Sequence, residues 1–356
     1  MTKYASLFCA ALALSACAPR EIPVEIRIAN ALPAANVSAA AETAPVGTSA
    51  ADAADDPAIW RNTANPAASL IVGTDKKAGL YVYSLDGQVR HFVPAGLVNN
   101  VDLIDTGTGI LVVASDRNDP ANSQLALFAL DPAAMTLNQL GTVSSGPGEA
   151  YGICIDPVAD AGAPGRMTVF AAIKDGSVRQ IAIDIGPGTP TARIVRTMKL
   201  SSQIEGCVVD PVSRSLFVGE EDIGIWRFGA DADAPVTGML VAKADGKQLV
   251  ADVEGLALVR HRDRTLLVAS SQGDNSYTLF DVPADIDAPL PLAGRFRIGS
   301  GRFGATSETD GIELALGDFG PAFPEGVFVA QDGENAPLAQ NFKLVGWREI
   351  RTALGL

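Results

Sequence analysis

Histidine is nearly missing from this chain: only His91 and His261 occur in 356 residues, each beside an arginine in a polar stretch where a surface position is expected. That scarcity leaves little for a zinc site, a Ser-His-Asp triad or a phosphohistidine intermediate. No G-x-S-x-G elbow is present either. Of the four cysteines, Cys9 and Cys17 sit near the N-terminus. Cys154 and Cys207 remain, and neither is next to the Arg-rich anion loop a thiolate phosphatase needs. Those two could pair in an oxidising compartment or stay as buried thiols inside their apolar runs. Positive charge is also in deficit: 27 Lys and Arg face 41 Asp and Glu, a net charge of −14. Binding of nucleic acid or an anionic membrane through a basic face is therefore excluded as an expectation. An anionic ligand would need bound cations or a local Lys/Arg cluster to reverse the field.

What is abundant points to strands. Hydrophobic residues make up 47% of the chain, enough for a large core, and 35 Gly with 22 Pro punctuate short Val/Ile/Leu/Phe runs. Such punctuation predicts an all-β protein with many tight turns. The start, MTKYASLFCAALALSAC, has one cation, an apolar stretch too short to span a bilayer, and small residues. Residues 1–16 are predicted to be a secretory signal, and Leu14-Ser15-Ala16-Cys17 resembles the bacterial lipobox, with Cys17 lipidated. The expected product is exported, either anchored to the outer membrane by lipid at Cys17 or periplasmic or extracellular, and monomeric. Residues 17–45, rich in Ala and Pro, are predicted to be a flexible tether, with the folded domain over 46–356.

Self-similarity is the strongest signal. Six apolar strands end in a small residue followed by polar groups: SLIVGTDKK (69–77), ILVVASDRN (110–118), VFAAIKDGS (169–177), LFVGEEDIG (216–224), LLVASSQGD (266–274) and VFVAQDGEN (327–335). A second apolar run follows each. Another strand, beginning with a polar residue, precedes each. A period of roughly 50 residues with three or four strands per copy fits a six-bladed β-propeller.

In antiparallel blades the start of the first strand lies beside the end of the second, so two polar rows should share one rim. The predicted first row is Asp56, Asp102, Tyr151, Glu205, Glu254 and Asp310. The predicted second row is Lys76, Arg117, Lys174, Glu220 with Glu221, Gln272 and Asp332. Cations gather in the first three blades and acids in the last three, with Lys77, Asp55, Asp222 and Asp252 adding to each set. Acids so concentrated repel one another unless neutralised, and hard divalent cations, Ca²⁺ above all, suit oxygen-only ligands. The cations opposite suit phosphate oxygens. A metal-assisted site for a polyanionic phosphate ligand follows. GSGRFG at 299–304 matches a dinucleotide fingerprint, but ATSETDG follows it instead of a helix, so a loop is expected. No EF-hand spacing occurs, so any calcium must be held by residues distant in sequence.

These stretches also carry a family resemblance. From about Asp52 to Trp347, DDPAIW (55–60), NNVD (99–102), AYGICI (150–155), EGCVVD (205–210), GEEDIGIW (219–226), ADVEGL (251–256), ASSQGDNSY (269–277), TSETDGIE (306–313), VFVAQDGEN (327–335) and QNFKLV (340–345) resemble the β-propeller phytases, calcium-dependent alkaline phosphatases of inositol hexakisphosphate. The resemblance implies a 3-phytase type phosphoric monoester hydrolase acting on phytate or calcium-phytate, with several Ca²⁺ ions and no nucleic-acid partner. It implies Asp55, Asp56, Asn100, Asp102, Glu205, Glu220, Glu221, Asp252, Glu254, Gln272, Asp310 and Asp332 as calcium ligands or supports. Lys76, Lys77, Arg117, Tyr151 and Lys174 would bind phosphate oxygens. Lys76, Arg117, Tyr151, Lys174, Glu205 and Glu221 would serve catalysis, in which a calcium-bridged water attacks phosphorus without a phosphoenzyme.

One departure stands out: the family reads D-G-T-S-D-T-D-G where this chain reads GATSETDG, so Gly304 replaces a calcium-binding Asp. Weaker occupancy of one calcium site, or an altered local loop, is expected. Two other readings keep the propeller: a lactonase-like or other calcium hydrolase, which would have no use for the Lys/Arg/Lys row, and a non-catalytic binding propeller.

Overall fold

Alternating apolar strands that end in glycine-rich turns can bury both faces only by stacking against copies of themselves. The computed structural model, which describes residues 22–49, 52–158, 160, 163, 165–186 and 188–356, shows that solution: six sheets in a ring, a six-bladed β-propeller. The predicted signal peptide and Cys17 lie outside the described residues.

Blade one runs through Ala54–Trp60, Leu70–Asp75, Gly79–Ser84 and Val89–Pro94. Blades two, three, four and five repeat the meander from Val98–Asp105, Ala150–Asp156, Ile204–Asp210 and Val253–His261, each the innermost strand of its sheet. Blade six has only Ile312–Leu316, Gly326–Asp332 and Asn341–Gly346 from its own stretch. Apolar residues pack between neighbouring blades. Leu80 and Val82 of blade one, for example, meet Val112 and Phe128 of blade two, and Ile71 and Tyr83 meet Val329 and Phe342 of blade six.

The ring is closed by the segment predicted to be a tether. Ala41–Glu42 pairs antiparallel with Asn341–Gly346 as the fourth strand of blade six, and Ala35–Ser38 pairs in parallel with Leu292–Gly299 as a fifth strand of blade five. Val37 and Thr43 are buried there. The short helix Val24–Asn30 precedes them, and Leu32 is held by its N–H to the Lys247 carbonyl at 3.0 Å and by Arg295 Nη1 on its own carbonyl. Among described residues the tether reading over 17–45 is thus overturned: low hydrophobic periodicity did not prevent pairing, because blade six offers an open sheet edge that requires a strand.

Cys154 and Cys207 form a disulfide joining the innermost strands of blades three and four, which settles the alternative left open by sequence. The histidines are half-buried, not surface groups. His91 Nδ1 accepts from the Leu137 N–H at 3.2 Å, and His261 packs edge-on against Trp347. GSGRFG begins at the last residue of the strand Leu292–Gly299 and continues as an irregular connection with no helix after it, as expected.

Candidate active site

The innermost strands bulge where they approach the axis. In five blades the pairing skips two residues: between Ala54 and Pro57, Val98 and Val101, Ala150 and Ile153, Ile204 and Cys207, and Val253 and Leu256. The first residue of each bulge is Asp55, Asn99, Tyr151, Glu205 or Glu254, and Asp310, two residues before Ile312, takes the equivalent place in blade six. The second is Asp56, Asn100, Gly152, Gly206, Gly255 or Gly311. Glycine is required where the next blade presses in: a Cβ on Gly206 would lie 2.2 Å from the Glu254 carbonyl oxygen. The Gly255 N–H bonds the Asp310 carbonyl at 2.8 Å, so the bulges are stitched to one another around the axis.

This register corrects the first predicted row. Tyr151, Glu205, Glu254 and Asp310 are in step, but their blade-one and blade-two counterparts are Asp55 and Asn99, not Asp56 and Asp102. Asp56 sits one residue deeper, its Oδ2 accepting from the Val101 N–H at 3.0 Å. Asp102 sits deeper still, accepting from the Leu103 and Ile155 N–H groups at 2.6 and 2.7 Å. With Glu313 and Asn100 they line a channel cavity of about 200 Å³. Burial raises Asp102 to about 6. Burial, with Asp102 nearby, raises Glu313 to about 8. Asp56 is pushed well up by burial and by Asp55.

The second row divides by the same parity. Lys76, Arg117, Lys174, Glu221 and Gln272 each follow the end of a second strand, and their N–H groups bond the carbonyls of Ala53, Leu97, Glu149, Gln203 and Asp252. Glu220 and Asp332 are one residue earlier, and side chains one residue apart on a strand point to opposite faces. Glu220 Oε1 accepts from the N–H and hydroxyl of both Ser201 and Ser202, and Oε2 from Trp226 Nε1 at 2.7 Å. Burial would raise its pKa, but these donors outweigh burial and hold it below the usual value. It is fully buried and braces the Ser201–Ser202 loop. Asp332 is paired to the buried Lys343 at 3.2 Å. Of the EED triplet, then, Glu220 is tied to the Ser201–Ser202 loop and Trp226, Glu221 faces the mouth and Asp222 is exposed.

At the mouth, oxygens of Glu205, Glu221 and Glu254 all lie within 4.8 Å of one another. Asn99 Nδ2 donates to Glu205 at 2.8 Å and Gln203 Nε2 to Glu221 at 2.8 Å. Burial, then neighbouring carboxylates (Asp55 for Glu205, Asp310 for Glu254), push both acids well up. Glu221 is raised by burial and by Asp252. Glu254 Oε2 is buried with no hydrogen-bond partner. An all-oxygen cluster with an orphaned, buried carboxylate oxygen fits a hard divalent cation, which would supply the missing partner and the missing positive charge.

Lys76 stands on the other side of that cluster. Its Nζ lies 3.0 Å from Asp55 Oδ2 and 2.9 Å from Asp310 Oδ2, with Asp52 also in contact. Burial lowers its pKa, but Asp55, Asp310 and Glu205 outweigh burial and raise it. Asp310 itself rises to about 7 through burial, against the pull of Lys76, and Gln272 Nε2 donates to it at 2.7 Å. The Tyr151 ring is flanked by Lys174 Nζ, 5.1 Å from its centroid, and Arg117 Cζ at 6.0 Å. Burial and then Glu205 raise the Tyr151 phenol, so it stays a neutral donor. Lys77, more exposed, reaches Asp52 at 3.6 Å on the outer edge. Sequence reasoning missed Asn99, Gln203, Asp52 and Glu313. The bulge register marks Asn99, and Glu313 shares the register of Asp102, whereas Gln203 and Asp52 carry no sequence signal.

Comparison with known proteins gives three findings. The family model described as Phytase matches residues 5–356. A 3-phytase of Bacillus subtilis (strain 168) is 37% identical over 334 residues, covering 90% of this chain and 85% of that protein. Among solved structures, BBS1N in complex with ARL6DN covers 79% of this chain and 76% of its own, with a TM-score of 0.45 and 10% identity, too little to bear on function.

Proposed function

The chain belongs to the phytase family and is a phytate-hydrolysing enzyme, and from that premise we propose that its reaction depends on calcium bound at the propeller mouth. The observation that carries the proposal is the trio Glu205, Glu221 and Glu254, with its orphaned Glu254 oxygen, beside the wall of Lys76, Arg117 and Lys174. Asp55, Asp252 and Asp310 would complete the oxygen set around more than one ion. Bound there, Ca²⁺ would act as a Lewis acid on a phosphoryl oxygen and lower the pKa of an attacking water.

The chain's own groups supply the rest. Lys174 and Arg117, both close to the Tyr151 ring, would form a cationic wall for one phosphate of a polyphosphate ligand, with the neutral Tyr151 hydroxyl donating to it. Lys76 offers a positive charge where negative charge grows on the equatorial oxygens. Its three carboxylate partners fix the ammonium's position, so little reorganisation is needed when substrate arrives. With a net charge of −14 the molecule repels free phytate, so the ligand would approach as calcium-phytate or meet an already calcium-loaded mouth. Among the described residues the mouth has no histidine and no free thiol to carry a phosphoryl group, since Cys154 and Cys207 are bonded to each other, and direct displacement by water is the simplest course.

We also propose export, with a signal over residues 1–16 and a lipid on Cys17. The Cys154–Cys207 disulfide supports an oxidising compartment. A Cys17→Ser variant should leave the membrane fraction, and retention there would defeat the anchor.

Phosphate release from inositol hexakisphosphate tests the main reading. Turnover should need added calcium, vanish in EDTA, and fall by roughly 10²-fold or more in Lys76→Ala. Full activity in EDTA would refute the calcium requirement.

A further inference from the structure

Lys343 is the most completely buried lysine among the described residues, with none of its surface exposed. Its Nζ is surrounded by oxygens from four side chains: Glu42 Oε2 at 2.5 Å, Asn341 Oδ1 at 3.1 Å, Asn335 Oδ1 at 3.2 Å and Asp332 Oδ2 at 3.2 Å. The orientation of three of them is fixed from behind. Asn341 Nδ2 is committed to the Thr43 carbonyl and Asn335 Nδ2 to the Ala339 carbonyl, which turns both amide oxygens toward the ammonium. Asp332 Oδ1 takes the Ser307 and Glu334 N–H groups, leaving Oδ2 for Lys343.

Two carboxylates and two amide oxygens converging on a buried point are the ligand chemistry of a hard divalent cation. Here the point is filled by an ammonium. It also lies on the seam of the ring, since Glu42 and Lys343 are register partners where the N-terminal strand closes blade six. Gly304 faces the same point: an ideal Cβ there would lie 3.8 Å from Nζ and 3.9 Å from Cε of Lys343, ordinary contact distances, at an ordinary backbone angle.

We propose that Lys343 is a built-in cation that occupies an otherwise metal-competent oxygen cage, so that this propeller closes its ring at that seam without a bound metal. The expectation that Gly304 merely weakens a calcium site is thereby replaced: a carboxylate at 304 would meet a lysine, and the positive charge needed to hold Glu42 against Asp332 is covalently supplied. The inference does not depend on the reaction proposed for the mouth.

The test counts calcium bound per chain by equilibrium dialysis and follows melting in EDTA and in about 10 mM CaCl₂, a concentration that fills weak oxygen sites. Lys343→Ala should bind one more calcium than the unaltered chain, and calcium should raise its melting temperature by about 3 °C more. An unchanged calcium count in a folded Lys343→Ala protein would overturn the proposal. Folding of that variant only in calcium would support it. Gly304→Asp with Lys343 intact gives the second arm and keeps the test decisive if Lys343→Ala does not fold at all. It should melt higher in EDTA through a new ion pair and bind no added calcium, whereas an additional calcium in that variant would show that metal and lysine share the cage and would defeat the idea.

Discussion

Replacing Glu254 by Gln should change stability in opposite directions depending on whether calcium is present. The carboxylates of Glu205, Glu221 and Glu254 offer oxygens within 4.8 Å of one another. Two full charges at that distance repel by about 3.5 kcal/mol at an effective dielectric constant of about 20, and Glu254 has two such partners. Partial protonation, signalled by the raised pKa values of Glu205 and Glu254, reduces what is felt. The relief in Glu254→Gln without metal should therefore be on the order of 2 kcal/mol, or roughly 4 to 8 °C in a domain of about 150–250 residues and less in one this large. With calcium the sign inverts. A divalent ion about 2.5 Å from a carboxylate oxygen gains more from that charge than the two repulsions cost, so its loss should weaken binding by about 3 kcal/mol, or roughly 10²-fold. Thermal unfolding in EDTA and in calcium, with calorimetric titration of calcium, reads both quantities. If Glu254→Gln moved the melting temperature the same way in both buffers, the cluster would not be a metal site and the reasoning would fail.

Three further outcomes follow from the geometry. Glu220→Gln should lower stability by about 2 kcal/mol, because an NH₂ group must face donors from Ser201, Ser202 or Trp226, yet the calcium count should not change; a lost calcium would restore Glu220 as a ligand. In the channel, the Glu313 pKa is raised from 4.5 to about 8, so the native state holds a proton that the unfolded chain has already lost. Its contribution to stability is greatest below about 4.5 and declines as pH climbs to about 8, and in EDTA Glu313→Gln should flatten that decline; identical pH profiles for the two proteins would rule it out. Replacing Cys154 and Cys207 with Ser, which opens a loop of sequence separation 53, should cost about 2 to 4 kcal/mol in denaturant unfolding, and an unaltered midpoint would mean that the bridge does not form.

How much of this was readable in advance depends on the range over which each feature is fixed. The six-fold repeat, the all-β class and the polar ends of the strands are local patterns, written wherever an apolar run stops at a small residue and a carboxylate or lysine follows. Lys76, Arg117, Lys174, Glu205, Glu221, Glu254 and Asp310 were identifiable from that pattern because a strand end lies in the same place in every blade. Register was not identifiable. A bulge inserts residues into one strand without any mark in its composition, and one step of the chain turned Asp56, Glu220 and Asp332 away from the positions expected of them.

The sequence alone determined that strands of this period must stack in a ring and that acids and cations would crowd one rim of it, because apolar faces on both sides of a blade have no other means of burial. Only the tertiary structure decided which carboxylates meet, that residues 35–42 close the ring rather than tether it, and that a lysine fills the cage at the seam. Those outcomes depend on contacts between residues up to about 300 positions apart, whose distances and orientations no local pattern encodes.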